Sequence, residues 1–229
     1  MKVLAIDASG SVASVAVVYY SVVVGEFSTN CKMNHSATLM PMVDKLLKIL
    51  AITFADIDFI ACASGPGSFT GLRIGAATAK GLAHGGGKKI IPVPTLDALA
   101  YNVFDTAKIV VPMMDARRGQ VYAACYRWES GKLLRLSDYL AEDVGSVIDA
   151  AEKLGAPVFC GDGSLRYRDE LEKRGYGILP PHLNAQRAAA VGALAIAMGE
   201  SAAVGYGDFV PFYLRKPQAE RERSDESTE

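Results

Sequence analysis

The chain has 229 residues, 50% of them apolar and 21% charged, with a net charge of −1. That length suits one large or two small domains with a real core. No run approaches the roughly 20 apolar residues a membrane crossing needs, and a chain gripping nucleic acid by itself would carry a strong basic excess that is absent here.

Charge is uneven. Pro217 to Glu229 holds five acids and two bases, so it contributes −3 and the body before it is +2. That stretch lacks apolar anchors and is expected to be disordered. Cys31, Cys62, Cys125 and Cys160 lie far apart with no C-x-x-C pair. Reduced thiols in a cytosolic protein fit better than a disulfide framework.

In chain order, VLAIDAS (3–9), SVASVAVVYY (11–20) and VVVGEF (22–27) read as three short strands joined by tight turns. The opening reads as the first of these and not as a signal peptide, because Asp7 interrupts it. Leu39, Val43, Leu46, Leu47 and Leu50 fall at helical spacing, with Ser36 as cap and Pro41 near the first turn. DFIACA (58–63) is a buried strand. SGPGSFTGLRIGAATAKGLAHGGG (64–87) is a turn opening a helix that ends at Gly85 to Gly87. KIIPV (89–93) is another strand, and 95–103 a helix capped by Thr95.

The pattern then restarts. KIVVPMMDARRGQVYAACYR (108–127) repeats the apolar strand, Asp-Ala, turn and alternating strand of the opening. Asp7-Ala8 and Asp115-Ala116 hold the same place, 108 residues apart, and a third strand lies near Lys132 to Leu136. Helix (144–155), strand and turn (157–163) and helix (165–175) follow. Asn184 is expected to cap an alanine-rich helix, and 209–215 is a last ordered segment. Two such halves suggest an internal duplication and a two-lobed α/β protein; chance recurrence of strand-then-Asp is the alternative. The expected divisions are 1–104 as first lobe, 105–180 as a smaller second lobe, 181–216 packing back on the first, and 217–229 as tail.

Two features invite a functional reading. Gly65, Pro66 and Gly67 allow a sharp turn, and Ser68 or Thr70 can cap the helix, whose free N–H groups could take an anion. The P-loop spacing is missing, and a plain strand-to-helix turn is the alternative. Along the helix Gly71, Gly75 and Ala79 recur every four residues. Such a face admits close packing, either on the chain's own sheet or on another chain. Asp7 and Asp115 could face each other across a cleft in a metal–phosphate site, or each could fix its own hairpin turn. Arg117 and Arg118 could meet a phosphate or simply be solvated. His35, His84 and His182 are isolated, so no zinc motif is present, and no Gly-x-Ser-x-Gly nucleophile turn occurs.

IDASGSVASVAVV, NHSATLMPMVDKLL, IACASGPGSFTGLRIGAATAKGLA, MDARRGQVYAACY and FYLRKPQAER together resemble the TsaB (YeaZ) family, over nearly the whole chain before the tail. The resemblance implies the actin-like ATPase superfamily fold: two duplicated ribonuclease-H-like lobes, mixed sheets flanked by helices. It implies a cytoplasmic protein needed to form N6-threonylcarbamoyladenosine beside the anticodon of tRNAs reading A-starting codons. In that family the TsaD paralogue carries metal, nucleotide and catalysis, and TsaE, a small ATPase, joins the pair. The TsaB member is a scaffold that pairs with TsaD through its first-lobe helices, or with itself when alone.

Carried onto this sequence, that implies an interface at Leu39, Val43, Leu46, Phe69, Gly71, Leu72, Gly75, Ala76 and Ala79. It implies no catalytic or metal residue and no cofactor in the isolated chain, ATP and metal belonging to the partners, with tRNA met through the complex. TsaD's His-x-x-x-His motif is replaced by VPTLDALAYNV, and its second glycine motif has only an echo in Gly161 and Gly163. Asp7, Asp115, Gly161 and Gly163 are therefore vestigial nucleotide-site candidates. The alternative reading is a small ATP-dependent phosphotransferase using Asp7 and Asp115.

Overall fold

The computed structural model describes residues 1–20, 22–30 and 34–215. Cys31 and the expected disordered tail 217–229 lie outside the described residues.

The first lobe is built from β1 (Lys2–Asp7), β2 (Ala13–Tyr19), β3 (Val22–Thr29), α1 (His35–Ile49), β4 (Phe59–Gly65), α2 (Phe69–Gly86), β5 (Lys89–Pro94) and α3 (Thr95–Tyr101). Its sheet has the order β3-β2-β1-β4-β5. The meander is antiparallel, while β1–β4 and β4–β5 are parallel. β1 is apolar on both faces because both are covered. Leu4 and Ile6 pack with Leu39, Val43 and Leu46 of α1 and with Ala76, Ala79 and Ala83 of α2. Val3 and Ala5 point the other way.

The second lobe contains β6 (Ile109–Arg117), β7 (Gln120–Ala123), β8 (Tyr126–Glu129), β9 (Lys132–Arg135), β10 (Leu140–Asp143), α4 (Val144–Glu152), β11 (Pro157–Cys160), α5 (Asp162–Arg166), α6 (Arg168–Lys173) and α7 (Pro181–Asn184). β7 and β8 run along β6 in one register: Ala123 faces Met113 and Tyr126 faces Val110. They are one strand interrupted at Ala124 and Cys125. β9 pairs β8 and β10 pairs β7, so the third strand is interrupted as well. Leu136 N donates to Cys125 O at 2.7 Å and Cys125 N donates to Ser137 Oγ at 3.0 Å across the break. With β11 parallel to β6 on the other side, the order matches β3-β2-β1-β4 of the first lobe.

The duplication holds residue by residue. Val3 faces Phe59, and Val111 faces Phe159; Val3 and Val111 stand at the same 108-residue offset that relates Asp7 to Asp115, while the two phenylalanines are 159 − 59 = 100 apart. This is the two-lobed actin-like arrangement of duplicated lobes. α3 lies between them, its Leu96, Leu99 and Ala100 packed on Val110, Met114 and Tyr126 of the second sheet.

The last helix, α8 (Ala188–Met198), returns to the first lobe. Ala188, Val191 and Ala195 pack on Val3, Ala5, Ala16 and Val18. Asn184 does not cap it. The helix begins four residues later, and its first free N–H groups find distant acceptors: Ala188 N donates to Ser14 Oγ (2.9 Å) and Ala189 N to Glu26 Oε1 (3.0 Å). Asn184 instead accepts from Gly161 N at 3.1 Å. Ser36 likewise yields its expected role to Asn34, whose side chain accepts from Ser36 N. The expected helix over 165–175 is broken into α5 and α6 at Tyr167, where the backbone leaves helical values. Cys62, Cys125 and Cys160 are buried free thiols, and burial pushes Cys160 up to about 12.

Candidate functional site: the interlobe cleft and the first-lobe helices

The turn at Ser64–Phe69 is pressed against its neighbours on three sides. A Cβ on Gly65 would overlap the Phe212 carbonyl, one on Gly67 the Ser9 carbonyl, and one on Gly71 the Ala8 carbonyl. Gly65 also has a positive φ of 114°. Ser68 caps α2 by accepting from Gly71 N at 3.3 Å, and its own N–H donates to Ser9 O at 2.7 Å. These glycines let backbone meet backbone within the chain.

Between the lobes lies a cleft of about 430 Å³. Ser9, Gly10, Ser68 and Thr70 line it from the first lobe, Asp115, Arg117 and Asp162 from the second, and Tyr213 and Arg215 from the terminal segment. Asp7 is not on the wall. It is 1% exposed, and its Oδ1 accepts from Ser9 N (2.9 Å) and Ser9 Oγ (2.6 Å). Burial pushes its pKa up to about 6, against the pull of the Ser9 donors. Asp115 Oδ1 makes the equivalent bond, accepting from Arg117 N at 2.9 Å, while Oδ2 lies 3.5 Å from Arg166 Nη1. Both carboxylates hold their own hairpin turns.

Gly161 and Gly163 answer to packing too. A Cβ on either would press into the backbone of Met113 on β6. Sequence reading missed Asp162, which sits between these glycines with Oδ1 buried and unpartnered; burial first, then Asp115, raises its pKa. It also missed Arg166. Asp162 stood between the two glycines of a weak motif echo and Arg166 in none; Asp162 reaches the cleft, and Arg166 reaches Asp115, through the seating of α5 on β6. Among the described residues no group of three His, Cys, Asp or Glu side chains could hold a metal ion. His35 bonds Gly10 O at 3.0 Å, and the His84 ring packs tilted against that of Tyr206.

The residues expected at a partner interface require correction. Leu39, Val43, Leu46, Leu72, Ala76 and Ala79 are each at most 6% exposed, and Gly71 and Gly75 are buried against Ala8 and Cys62. The small-residue face seats α2 on its own sheet and offers no surface. Phe69 is half-buried, lying between the Arg73 guanidinium and the Tyr213 ring. The opposite face of α2 is the one turned outward: Thr70, Arg73, Ala77, Gly81, His84 and Gly85 are exposed at helical spacing, with Ile74 and Thr78 half-buried at its margin. Among the described residues nothing lies within 4 Å of a would-be Cβ on Gly81 or Gly85, so no packing seen there requires them. Beside them α1 exposes Met40 and Ile49.

Several contacts bind the lobes together. Tyr126 and Tyr139 hydroxyls both donate to Asp97 Oδ1. The Trp128 indole donates to Val103 O. In the terminal segment Phe212 N donates to Ser64 O (2.6 Å) and Arg215 Nη1 to Ala116 O (3.4 Å). Among the described residues no helix is long and apolar enough to cross a membrane.

The family described as "TsaD: tRNA N6-adenosine threonylcarbamoyltransferase" matches residues 29–158. The chain is 40% identical over 133 residues to the "tRNA threonylcarbamoyladenosine biosynthesis protein TsaB" of Bacillus subtilis, covering 58% of each chain. It is 32% identical over 164 residues to the protein of the same description from Haemophilus influenzae, covering 67% of this chain and 68% of that one. The chain thus spans little more than half the length of the first of these curated relatives. In three dimensions it superposes on "YeaZ from Pseudomonas aeruginosa" with a TM-score of 0.76 and 25% identity, covering 93% of this chain and 99% of that one. With its lobes, its GPGSFTGLR turn and its relatives in agreement, the chain belongs to the TsaB (YeaZ) family.

Proposed function

We propose that this chain is a non-catalytic scaffold subunit in the formation of N6-threonylcarbamoyladenosine on tRNA, seating a TsaD-like paralogue on the outward face of α1 and α2. One observation carries the reading: Gly81, in the interior of a long helix, has open space where a side chain would be. Glycine there costs about 1 kcal/mol of helix propensity relative to alanine. A helix from another chain approaching along Ile74, Ala77, Thr78 and Gly81 gives that glycine a purpose. Family membership supports the choice of partner. The buried and bonded Asp7 supports assigning the metal and nucleotide chemistry to that partner.

The TsaD-like subunit supplies catalysis, and a TsaE-like ATPase joins the pair. ATP and metal belong to those subunits, and tRNA is held by the assembled surface in the cytoplasm. Alone, the chain pairs with itself through the same helices. Co-purification with the TsaD-like paralogue tests this: Gly81→Leu should fold normally and lose the complex. Retention of the complex at unchanged affinity removes the assignment.

The cleft beside the α2 N-terminus favours one other reading, an ATP-dependent phosphotransferase using Asp115 with Asp7 behind it. Calorimetry of the isolated chain with Mg·ATP separates the two, since micromolar binding supports the enzyme and silence supports the scaffold.

A further inference from the structure

The charges of α2 are all of one sign. From Phe59 to Leu96 the sequence has no acidic residue, while α2 and the turn after it carry Arg73, Lys80, His84, Lys88 and Lys89. The neighbouring α1 instead pairs its charges, with Lys48 Nζ 2.8 Å from Asp44 Oδ2. At 3.6 residues per turn, Arg73, Ala77, Lys80 and His84 fall within about 60° of one another around the helix. That stripe lies opposite the buried Gly71, Gly75 and Ala79.

Arg73, Ala77 and His84 are exposed and Lys80 is half-buried. Among the described residues neither Arg73 nor Lys80 has an ion-pair partner. Arg73 is nevertheless held in place. Its guanidinium carbon lies 3.9 Å from the centre of the Phe69 ring, and Phe69 leans on Tyr213 with ring centres 5.0 Å apart. Stacking uses a face of the guanidinium and leaves its in-plane N–H groups for a carboxylate. Ala77 within the stripe and Gly81 beside it leave room for an approaching backbone.

We infer that this stripe selects an acidic helix: the helix of the TsaD-like paralogue that faces α2 presents carboxylates to Arg73 and Lys80, with small residues between them. The inference rests on the seating proposed above and adds the charge that chooses the partner. Seven residues of helix separate the two cations by about 10 Å, so carboxylates about two turns apart on a neighbouring helix meet both. A nucleic acid strand would find only these two full charges, with the Asp44 carboxylate on the adjoining helix against it. A second copy docked through this face would set cationic stripe against cationic stripe, and opposed like charges cost affinity. An acidic helix satisfies the charges and uses the space over Gly81.

Calorimetry of the full chain with the purified TsaD-like paralogue at about 50 and about 300 mM NaCl tests this. Wild-type affinity should fall at least about fivefold at the higher salt. Neutralising both cations, Arg73→Gln with Lys80→Gln, should weaken binding about tenfold at low salt. Reversing both, Arg73→Glu with Lys80→Glu, should weaken it further and abolish or invert the salt dependence. The variants should keep the circular dichroism of wild type; if either misfolds, the wild-type salt dependence decides alone. A complex whose affinity ignores salt and both double variants overturns the inference and leaves the seating on α2 standing. No complex for wild type at either salt removes the seating and the inference with it. If the double variants instead lose tRNA binding by the chain alone, or self-association, with the paralogue complex intact, the stripe serves phosphate or a second copy and the inference is overturned.

Discussion

The hydroxyl of Tyr126, on the second-lobe sheet, donates to Asp97 Oδ1 of α3 at 2.6 Å, and Tyr139 donates to the same oxygen at 2.7 Å. One first-lobe carboxylate therefore holds two second-lobe side chains. Tyr126 is 1% exposed, and burial with the Asp97 charge raises the pKa of both phenols. Tyr126→Phe should cost about 1.5–3 kcal/mol, the range for a hydrogen bond to a charged group. Asp97→Ala should cost more than either tyrosine variant, because two hydroxyls lose their acceptor together. Urea unfolding of the three single variants and the double Tyr→Phe variant measures this. Additive single losses would mean that the two hydroxyls do not act as a pair.

Asp7 predicts a pH dependence of definite sign. Its folded pKa is about 6 against the usual 3.8, with desolvation as the main cause. The folded chain keeps this proton when the unfolded chain has lost it, so stability falls as pH rises from about 4 to about 6. Asp7→Asn keeps an acceptor for Ser9 and removes the titration. The stability of wild type relative to Asp7→Asn should therefore drop by roughly 3 kcal/mol across that interval, at 1.36 kcal/mol per pH unit. Chemical denaturation at pH 4, 5, 6 and 7 reads the difference. A wild type that gains on the variant as pH rises would place the Asp7 charge in a favourable site.

Much of this architecture could be read from residues. The Asp7 and Asp115 repeat announced the duplication, because a strand buried on both faces and closed by a turn leaves a compact pattern. The GPGSFTGLR turn announced the family. What could not be read was direction. Gly71, Gly75 and Ala79 share a helix face, but periodicity does not say whether that face meets the chain's own sheet or another protein. Ala8, just past the end of β1, and Cys62, on β4, settle the matter, and both are distant from α2 in pattern. Asp162 was invisible for a similar reason, since its place in the cleft depends on tertiary seating. Asn184 stood near an alanine-rich helix and looked like its cap, yet the N–H groups it would have served are met by Ser14 and Glu26 from the opposite end of the chain.

The two glycines of the buried α2 face should respond in opposite directions to alanine. A Cβ on Gly75 would meet Ala8 Cβ at 3.6 Å and Cys62 Sγ at 3.7 Å, ordinary contacts. Gly75→Ala should then be neutral or stabilise by up to about 1 kcal/mol through helix propensity. At Gly71 the same methyl would overlap the Ala8 carbonyl. Gly71→Ala must push α2 off β1 and should cost about 1–3 kcal/mol, the usual range for overpacking. Melting temperatures of both variants decide it. Equal effects would mean that α2 is not seated on β1 as described.

Glu26 ties three parts of the fold together, and its removal gives the last prediction. Its Oε2 accepts from Arg187 Nε (3.1 Å) and Nη2 (2.6 Å), and its Oε1 from Ala189 N (3.0 Å). The carboxylate thus stands at the N-terminus of α8, where the helix dipole and a free N–H favour negative charge. Glu26→Ala removes a helix cap, worth about 1 kcal/mol, together with a paired charge that is only 13% exposed on its side chain. A loss of about 2–3 kcal/mol is expected, larger than a surface ion pair would give. Glu26→Gln keeps an acceptor for Ala189 and should recover about half of it. Fraying should concentrate in α8, because β3 stays paired to β2 while α8 loses its anchor. Hydrogen exchange of Ala189 to Gly192 in Glu26→Ala provides the check, and unchanged protection there would mean that apolar packing on β1 and β2 alone holds the helix.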